Sequence, residues 1–275
     1  MPTVRAETTA PVVADPAVVA DALSWRKLTE YLRQLTVLGL FFLINVTFSP
    51  PCLLLSLIFG ERIPCSVGQR LIARLIRFWL GFARRVNAIQ VDFPDAEKLE
   101  NLRGVIVAPN HPSLIDAIIL LAVLPRAVCV MRADLALNPV FGGMSRMAGF
   151  VPNDRGRLLV RGGLEKVRRG ENLLIFPEGT RTRTRAVNPF KKGFALIARN
   201  AGAPIQTILI EREGLYLSKK VSLLDRASLP VRFRLHLGDV IHPEAGESAT
   251  ELARRVERYF EERIENVGAD IRLAR

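Results

Sequence analysis

After a leader, apolar and polar positions divide the chain into three regimes. Residues 1–22, rich in Ala, Val, Pro and Thr, show no periodicity and read as a flexible leader. Between Arg33 and Glu61 lie 27 uncharged residues, including the run TVLGLFFLINVTFSPPCLLLSLIFG. That run is long enough for a bilayer helix of about 20 residues. Pro50 and Pro51 interrupt it, Asn45 lies in its middle, and each half alone is too short to span. The pattern leaves a kinked spanning helix, a hairpin that enters one leaflet and returns, or a buried core hairpin of a soluble protein. The re-entrant hairpin is the expectation, with Trp25, Arg26, Lys27 and Arg33 at headgroup level. A secretory signal peptide is disfavoured, because the run starts far from the N-terminus and no small-residue cleavage site follows it.

The second regime is VGQRLIARLIRFWLGFARRV. Here Leu71, Leu75, Phe78, Trp79 and Phe82 recur at helical spacing, while Arg70, Arg74, Arg77, Arg84 and Arg85 form a separate basic stripe without an acidic residue. Such a helix suits an anionic leaflet, and equally a helix packed on a sheet with a solvated arginine face. From residue 89 onward, short apolar runs alternate with amphipathic segments. Strands are expected at 89–93, 104–108, 127–131, 173–176, 205–210 and 231–237, the last half exposed because it alternates. Helices are expected at 114–124, 139–148, 158–169, 192–201 and from Ser248 to Val267, the last opening on a Ser248/Glu251 capping box. The predicted fold is α/β: a mixed sheet flanked by helices, preceded by a membrane-embedded helical hairpin and a basic amphipathic helix. Residues 23–88 form the membrane-associated region and 89–275 a single α/β domain, in which no linker is visible.

Composition changes this picture in two ways. The 49% apolar and 24% charged residues are ordinary for a globular chain and no repeat is visible, but 39 Lys+Arg against 27 Asp+Glu give a net charge of +12. That excess points to an anionic partner. Cys52, Cys65 and Cys129 are too few and scattered for a disulfide framework, and no Cys/His cluster has metal-ligand spacing. A reducing compartment is expected, with neither structural metal nor cofactor.

Candidate chemistry sits where strands end. GVIVA runs into PNHPSLIDAIILL, placing His111 in the turn after a strand and Asp116 near a helix start. Residues five apart on a regular helix point about 140° away from each other, so His111 and Asp116 meet only if Pro112 and Ser113 bend the chain. If they meet, the carboxylate holds one imidazole nitrogen and leaves the other as a base. SLID is also a Ser-x-x-Asp capping box, in which Asp116 merely closes a helix. Residues alone leave both readings open. The run LLIF then enters PEGTRTRTR, and from Gly179 to Ile210 there are six basic residues and no acidic one. Arginines grip phosphate bidentately and a loop glycine lets backbone approach it. Nucleic acid is disfavoured: no nucleic-acid module is recognisable and aromatic residues are 7% of the chain.

Together NHPSLID and FPEGTR, in this order, about 60 residues apart and after an apolar segment, resemble the glycerolipid acyltransferase family of 1-acylglycerol-3-phosphate acyltransferases and their bacterial relatives. The resemblance covers most of residues 35–240. It implies transfer of an acyl chain from an acyl carrier protein or coenzyme A thioester, as co-substrate, to a lipid hydroxyl. It makes His111 the general base and Asp116 its orienting partner, and assigns Glu178, Gly179, Thr180 and Arg181 to an acceptor-binding loop. Arg155, with Lys191 and Lys192, joins Arg181 in holding an acceptor phosphate, while Glu178 binds a glycerol hydroxyl or fixes Arg181. The expected partners are a lysophospholipid-type acceptor, the thioester donor and an anionic membrane surface, at the cytoplasmic face of the inner membrane.

Two family blocks depart from the pattern. GFVPNDR has a Pro and an Asn-Asp pair before Arg155, and APIQTILI keeps Pro204 without a second proline. These departures keep open a non-phosphatidate acceptor, an ornithine or aryl polyene lipid. Outside enzymes, a non-catalytic lipid-surface protein is the competitor, and it would not require both His111 and Asp116.

Overall fold

Short β-branched runs separated by helices build a sheet through crossovers. The computed structural model describes residues 16–124, 126–153, 156–183, 187–213, 224–225 and 227–273. Its strands are β1 (Ile89–Asp92), β2 (Ile106–Pro109), β3 (Ala127–Met131), β4 (Val151–Pro152), β5 (Asn172–Leu174), β6 (Ile205–Arg212) and β7 (Val231–Ile241). They form one sheet in the order β1-β7-β6-β2-β5-β3-β4. All neighbours are parallel except β6 and β7, so the sheet is mixed, as the sequence pattern predicts.

The central strands are buried on both faces. Val107, Cys129, Leu174, Ile208 and Ile210 pack toward α1 (Pro16–Phe59), α2 (Cys65–Arg85), α3 (Asp116–Val123) and, beyond the short α4 (Ala133–Leu137), α5 (Gly142–Met147). Ile106, Ala108, Val128, Leu173, Ile175 and Leu209 pack toward α6 (Gly156–Arg168), α7 (Gly193–Ala201) and α8 (Ala249–Leu273). On β7, Val231, Phe233 and Leu235 are buried while Arg232 and Arg234 are exposed, the half-exposed alternation expected of it. The capping box of α8 closes in both directions: the Ser248 N–H donates to Glu251 Oε2 at 2.8 Å and the Glu251 N–H to Ser248 Oγ at 3.2 Å.

The re-entrant hairpin does not form. α1 continues through Pro50 and Pro51, and the chain reverses only after Phe59, through a 3-10 turn at Gly60–Arg62, into α2. Tertiary packing overrides the prolines' helix-breaking tendency. Both prolines lie on the exposed side, whereas the opposite face of α1 buries Val37, Asn45, Ser49, Cys52 and Ser56 at helical spacing. At its centre the Gly143 N–H donates to Ser49 Oγ at 2.9 Å, and α5 comes so close that any side chain at Gly143 would collide with the Ser49 carbonyl.

Residues 23–88 and the sheet share a core. Val37, Ile72, Trp79 and Ala83 belong to the same buried cluster as Ile89 and Val231, and Trp79 Nε1–H donates to the Val37 carbonyl at 2.8 Å. α2 also abuts α5 at Gly68, where a side chain would fall within 2.6 Å of the Met147–Ala148 backbone. The packed-helix reading of its arginine stripe holds: α2 packs on α5 and the core, while Arg70, Arg74, Arg77, Arg84 and Arg85 face outward. Phe78 belongs to that outer face, 59% exposed, because eight positions from Arg70 is only about 80° around the helix.

Candidate active site

β2 and β5 are parallel neighbours, so the loops leaving their carboxyl ends emerge side by side, the usual place for a ligand site in an α/β sheet. The first loop carries His111 and the second Glu178. Pro112 and Ser113 do bend the chain, and His111 Nδ1 lies 2.9 Å from Asp116 Oδ2. The same oxygen accepts the Ser113 N–H at 2.7 Å. Asp116 Oδ2 thus meets both the turn and the imidazole, while the capping box closes in one direction only: Ser113 Oγ accepts the Ile115 N–H at 3.3 Å and not that of Asp116. With Nδ1–H given to the carboxylate, Nε2 is left as the basic nitrogen.

The surroundings fix this pair. The His111 ring stacks on Phe176, centroids 4.0 Å apart and planes 27° apart, and its side chain is 18% exposed. Asp116 is fully buried, and its Oδ1 accepts no hydrogen bond among the described residues. Burial pushes its carboxyl above the ordinary range, against the hydrogen bond and charge of His111, the Ser113 N–H and the charge of Arg212. Asn110 clips the loop to β6: its Nδ2 donates to the Ile210 carbonyl at 3.0 Å and its Oδ1 accepts the Ile210 N–H at 2.6 Å.

Glu178, also buried, joins the two loops. Its Oε1 accepts the His111 N–H at 2.9 Å and the Thr182 hydroxyl at 2.7 Å, and its Oε2 accepts the Asn188 N–H at 2.8 Å. Thr182 N–H returns a bond to the His111 carbonyl at 2.7 Å, and Asn188 Nδ2 donates to the Arg181 carbonyl at 3.1 Å. Through both oxygens the Glu178 carboxylate braces the loop. Gly179 takes φ +64, and a side chain there would come within 2.7 Å of Lys191 Nζ. Thr180 and Arg181 are partly buried beside it, while Lys191 and Lys192 are exposed at the start of α7. The structure therefore brings His111, Asp116, Glu178, Gly179, Thr180, Arg181 and Lys191 to one end of the sheet. Arg155 lies outside the described residues.

Asn110, Phe176, Thr182, Asn188 and Arg212 complete the site, and no spacing signals them, since each acts across more than one element. Cys129, buried and with its thiol pushed up to about 12, is no nucleophile.

Comparison with known proteins bears on this geometry. The family model described as Acyltransferase matches residues 54–211. Lyso-ornithine lipid O-acyltransferase of Pseudomonas aeruginosa is 31% identical over 192 residues, 68% of this chain and 71% of that protein. A 1-acyl-sn-glycerol-3-phosphate acyltransferase of Cocos nucifera is 27% identical over 146 residues, 50% of this chain and 47% of its own length. A chloroplastic counterpart from Brassica napus is 30% identical over 129 residues, 44% of this chain and 38% of its own. The chain thus spans less than half the length of these two plant relatives. Among solved structures, the 1-acyl-sn-glycerophosphate acyltransferase PlsC of Thermotoga maritima superposes with a TM-score of 0.66 at 23% identity, covering 90% of this chain and 98% of that one.

Proposed function

The chain belongs to the Acyltransferase family, and from that premise we propose that it moves an acyl chain from a thioester, carried by acyl carrier protein or coenzyme A, to the free hydroxyl of a lysophosphatidate-like lipid. The observation that carries the mechanism is the 2.9 Å contact between His111 Nδ1 and a fully buried Asp116, at the carboxyl end of β2. His111 Nε2 takes the proton as the acceptor oxygen attacks the thioester carbonyl carbon. The C–O bond forms, the C–S bond breaks, and the sulfur leaves as thiol with the proton returned by the imidazolium. Asp116 stabilises that transient cation, and N–H groups at the start of α3 offset charge on the carbonyl oxygen. The chemistry calls on no metal or cofactor.

Arg181 and Lys191, on the loop that Glu178 braces against His111, hold the acceptor phosphate, with Lys192 next to Lys191 and Arg155 from the earlier GFVPNDR block. Glu178 serves binding by holding the loop. The relative matched over two thirds of both chains supports a second acceptor, a lyso-ornithine lipid. In that case the arginines meet a carboxylate in place of a phosphate.

We further read α1 as embedded in the membrane. Its stretch Trp25–Phe59 is long and apolar enough to cross a bilayer. Phe42, Leu43, Val46, Leu54, Leu57 and Ile58 are exposed along it. The outward arginines of α2 then meet anionic headgroups, at the cytoplasmic face of the inner membrane. Acyl transfer measured by mass spectrometry tests the proposal. Lysophosphatidate and lyso-ornithine lipid serve as acceptors, each with acyl carrier protein and coenzyme A thioesters, and His111→Ala is the inactive reference. Turnover with neither acceptor, or equal turnover by His111→Ala, overturns it.

A further inference from the structure

The dyad has an electrostatic problem that its own two residues do not solve. The working form is a neutral imidazole beside an ionised carboxylate, a net negative charge placed where Asp116 is fully buried and Oδ1 receives no hydrogen bond among the described residues. α3 contributes no cation, because Asp116 is the only ionisable residue in DAIILLAV. α2, packed on α3, turns its arginines to solvent. Glu178, which accepts the His111 N–H, brings no cation.

The compensating charge comes from β6. Asn110, next to His111, binds both the N–H and the carbonyl of Ile210, which fixes the register of β6 against the His111 loop. Arg212 lies two residues further on, so its side chain leaves the same face as Ile210, whose side chain packs in the core shared with α3. Among the described residues the charges of His111 and Arg212 both favour the ionised Asp116 carboxylate, and in return the Asp116 charge opposes the effect of burial on Arg212. At this half-buried position a guanidinium keeps its charge, and so does an ammonium over pH 5 to 9.

We propose that Arg212 is a positioning residue acting through Asp116: delivered by the Asn110–Ile210 clip, its guanidinium holds the His111–Asp116 pair in the neutral-imidazole, ionised-carboxylate form that can accept a proton. The inference rests on the acyl-transfer reading of the dyad, although its electrostatics do not require a substrate. A nearby positive charge favours loss of the proton that the pair shares, so removing it moves that loss to higher pH.

The test compares the parent with Arg212→Gln and Arg212→Lys in the full chain, in mixed vesicles of phosphatidylethanolamine and phosphatidylglycerol. Two readouts are followed from pH 5 to 9. The first is kcat/KM for acyl transfer. The second is the rate at which diethylpyrocarbonate modifies His111, resolved from His236 and His242 by peptide mass spectrometry, which reports the unprotonated ring without substrate. Arg212→Gln should move the acid limb of both profiles to higher pH, leaving both rates about tenfold or more below the parent near pH 6 and converging above pH 8. Arg212→Lys should restore the parent's limb in both. A uniform loss at every pH, or no rescue by lysine in a variant that melts with the parent, overturns the proposal. If the parent transfers no acyl group, the proposed function fails while the modification profile still decides the role of Arg212.

Discussion

Asp116→Asn is the sharpest perturbation of the proposed chemistry, because the structure separates what the residue does for the fold from what it does for the proton. For the fold, Oδ2 accepts the Ser113 N–H and the His111 Nδ1–H, and an amide oxygen accepts both equally well. The amide nitrogen would occupy the position of Oδ1, buried without a partner among the described residues, at a cost of about 1–3 kcal/mol. Removing a fully buried charge offsets this. The net change should be about 1 kcal/mol in either direction, a melting shift of roughly 2–4 °C for a protein of this size. Because burial raises the Asp116 carboxyl, its contribution to stability is present at low pH and lost as pH rises through the folded-state value. The melting difference should therefore tilt toward the Asn variant as pH increases. For the proton, the imidazolium formed in the transition state loses a full charge 2.9 Å away. At an effective dielectric of about 20 that charge is worth about 6 kcal/mol, or roughly 10⁴ in rate. Solvent at the partly exposed ring trims this, so the expected loss is about 10³–10⁴ in kcat. The corresponding change in the serine protease triad, on an unrelated fold, costs about 10⁴. Single-turnover acyl transfer alongside differential scanning fluorimetry reads both quantities. A folded Asp116→Asn that keeps more than about a tenth of parental turnover would refute the dyad and leave Asp116 as a cap alone.

Three further expectations follow from the same geometry. Arg181→Lys retains the charge and loses the bidentate fork, so it should raise KM for a phosphate-bearing acceptor about tenfold while leaving KM for the thioester unchanged; equal effects on both would indicate loop misfolding. Glu178→Gln places an amide where both oxygens accept hydrogen bonds, setting donor against donor at His111, Thr182 or Asn188, and should destabilise by about 1–3 kcal/mol and open residues 179–188 to limited proteolysis. Loss of acceptor binding with no change in melting would instead give that carboxylate a substrate role. Arg74→Glu with Arg77→Glu, both on the outward face of α2, should weaken binding to phosphatidylglycerol vesicles in a salt-dependent manner without lowering the melting temperature, whereas unchanged flotation would remove α2 from the membrane surface.

Features set by neighbours in the chain were legible in the sequence. The strands of the sheet, except the two-residue β4, follow from apolar runs, and the α8 cap from Ser248 and Glu251 three residues apart. The paired motifs around His111 and Glu178 identified the family, and the bend at Pro112 and Ser113 made their chemistry conceivable. Features set by elements distant in sequence were not legible. Pro50 and Pro51 read as a hairpin because proline removes a helical N–H, yet α1 passes through them, since the Ser49 face is held against Gly143 some ninety residues later. Asp116 presented two competing roles that a linear pattern could not rank, and only the folded loop shows one of its oxygens meeting both the Ser113 N–H and His111 Nδ1. Asn110 and Arg212 carry no motif at all. Their relation arises because β6 pairs beside β2, a choice made by the packing of the whole sheet, which clips Asn110 to Ile210, two residues before Arg212. Local propensity acts over a few residues, whereas a buried charge is compensated by whatever the tertiary fold places next to it.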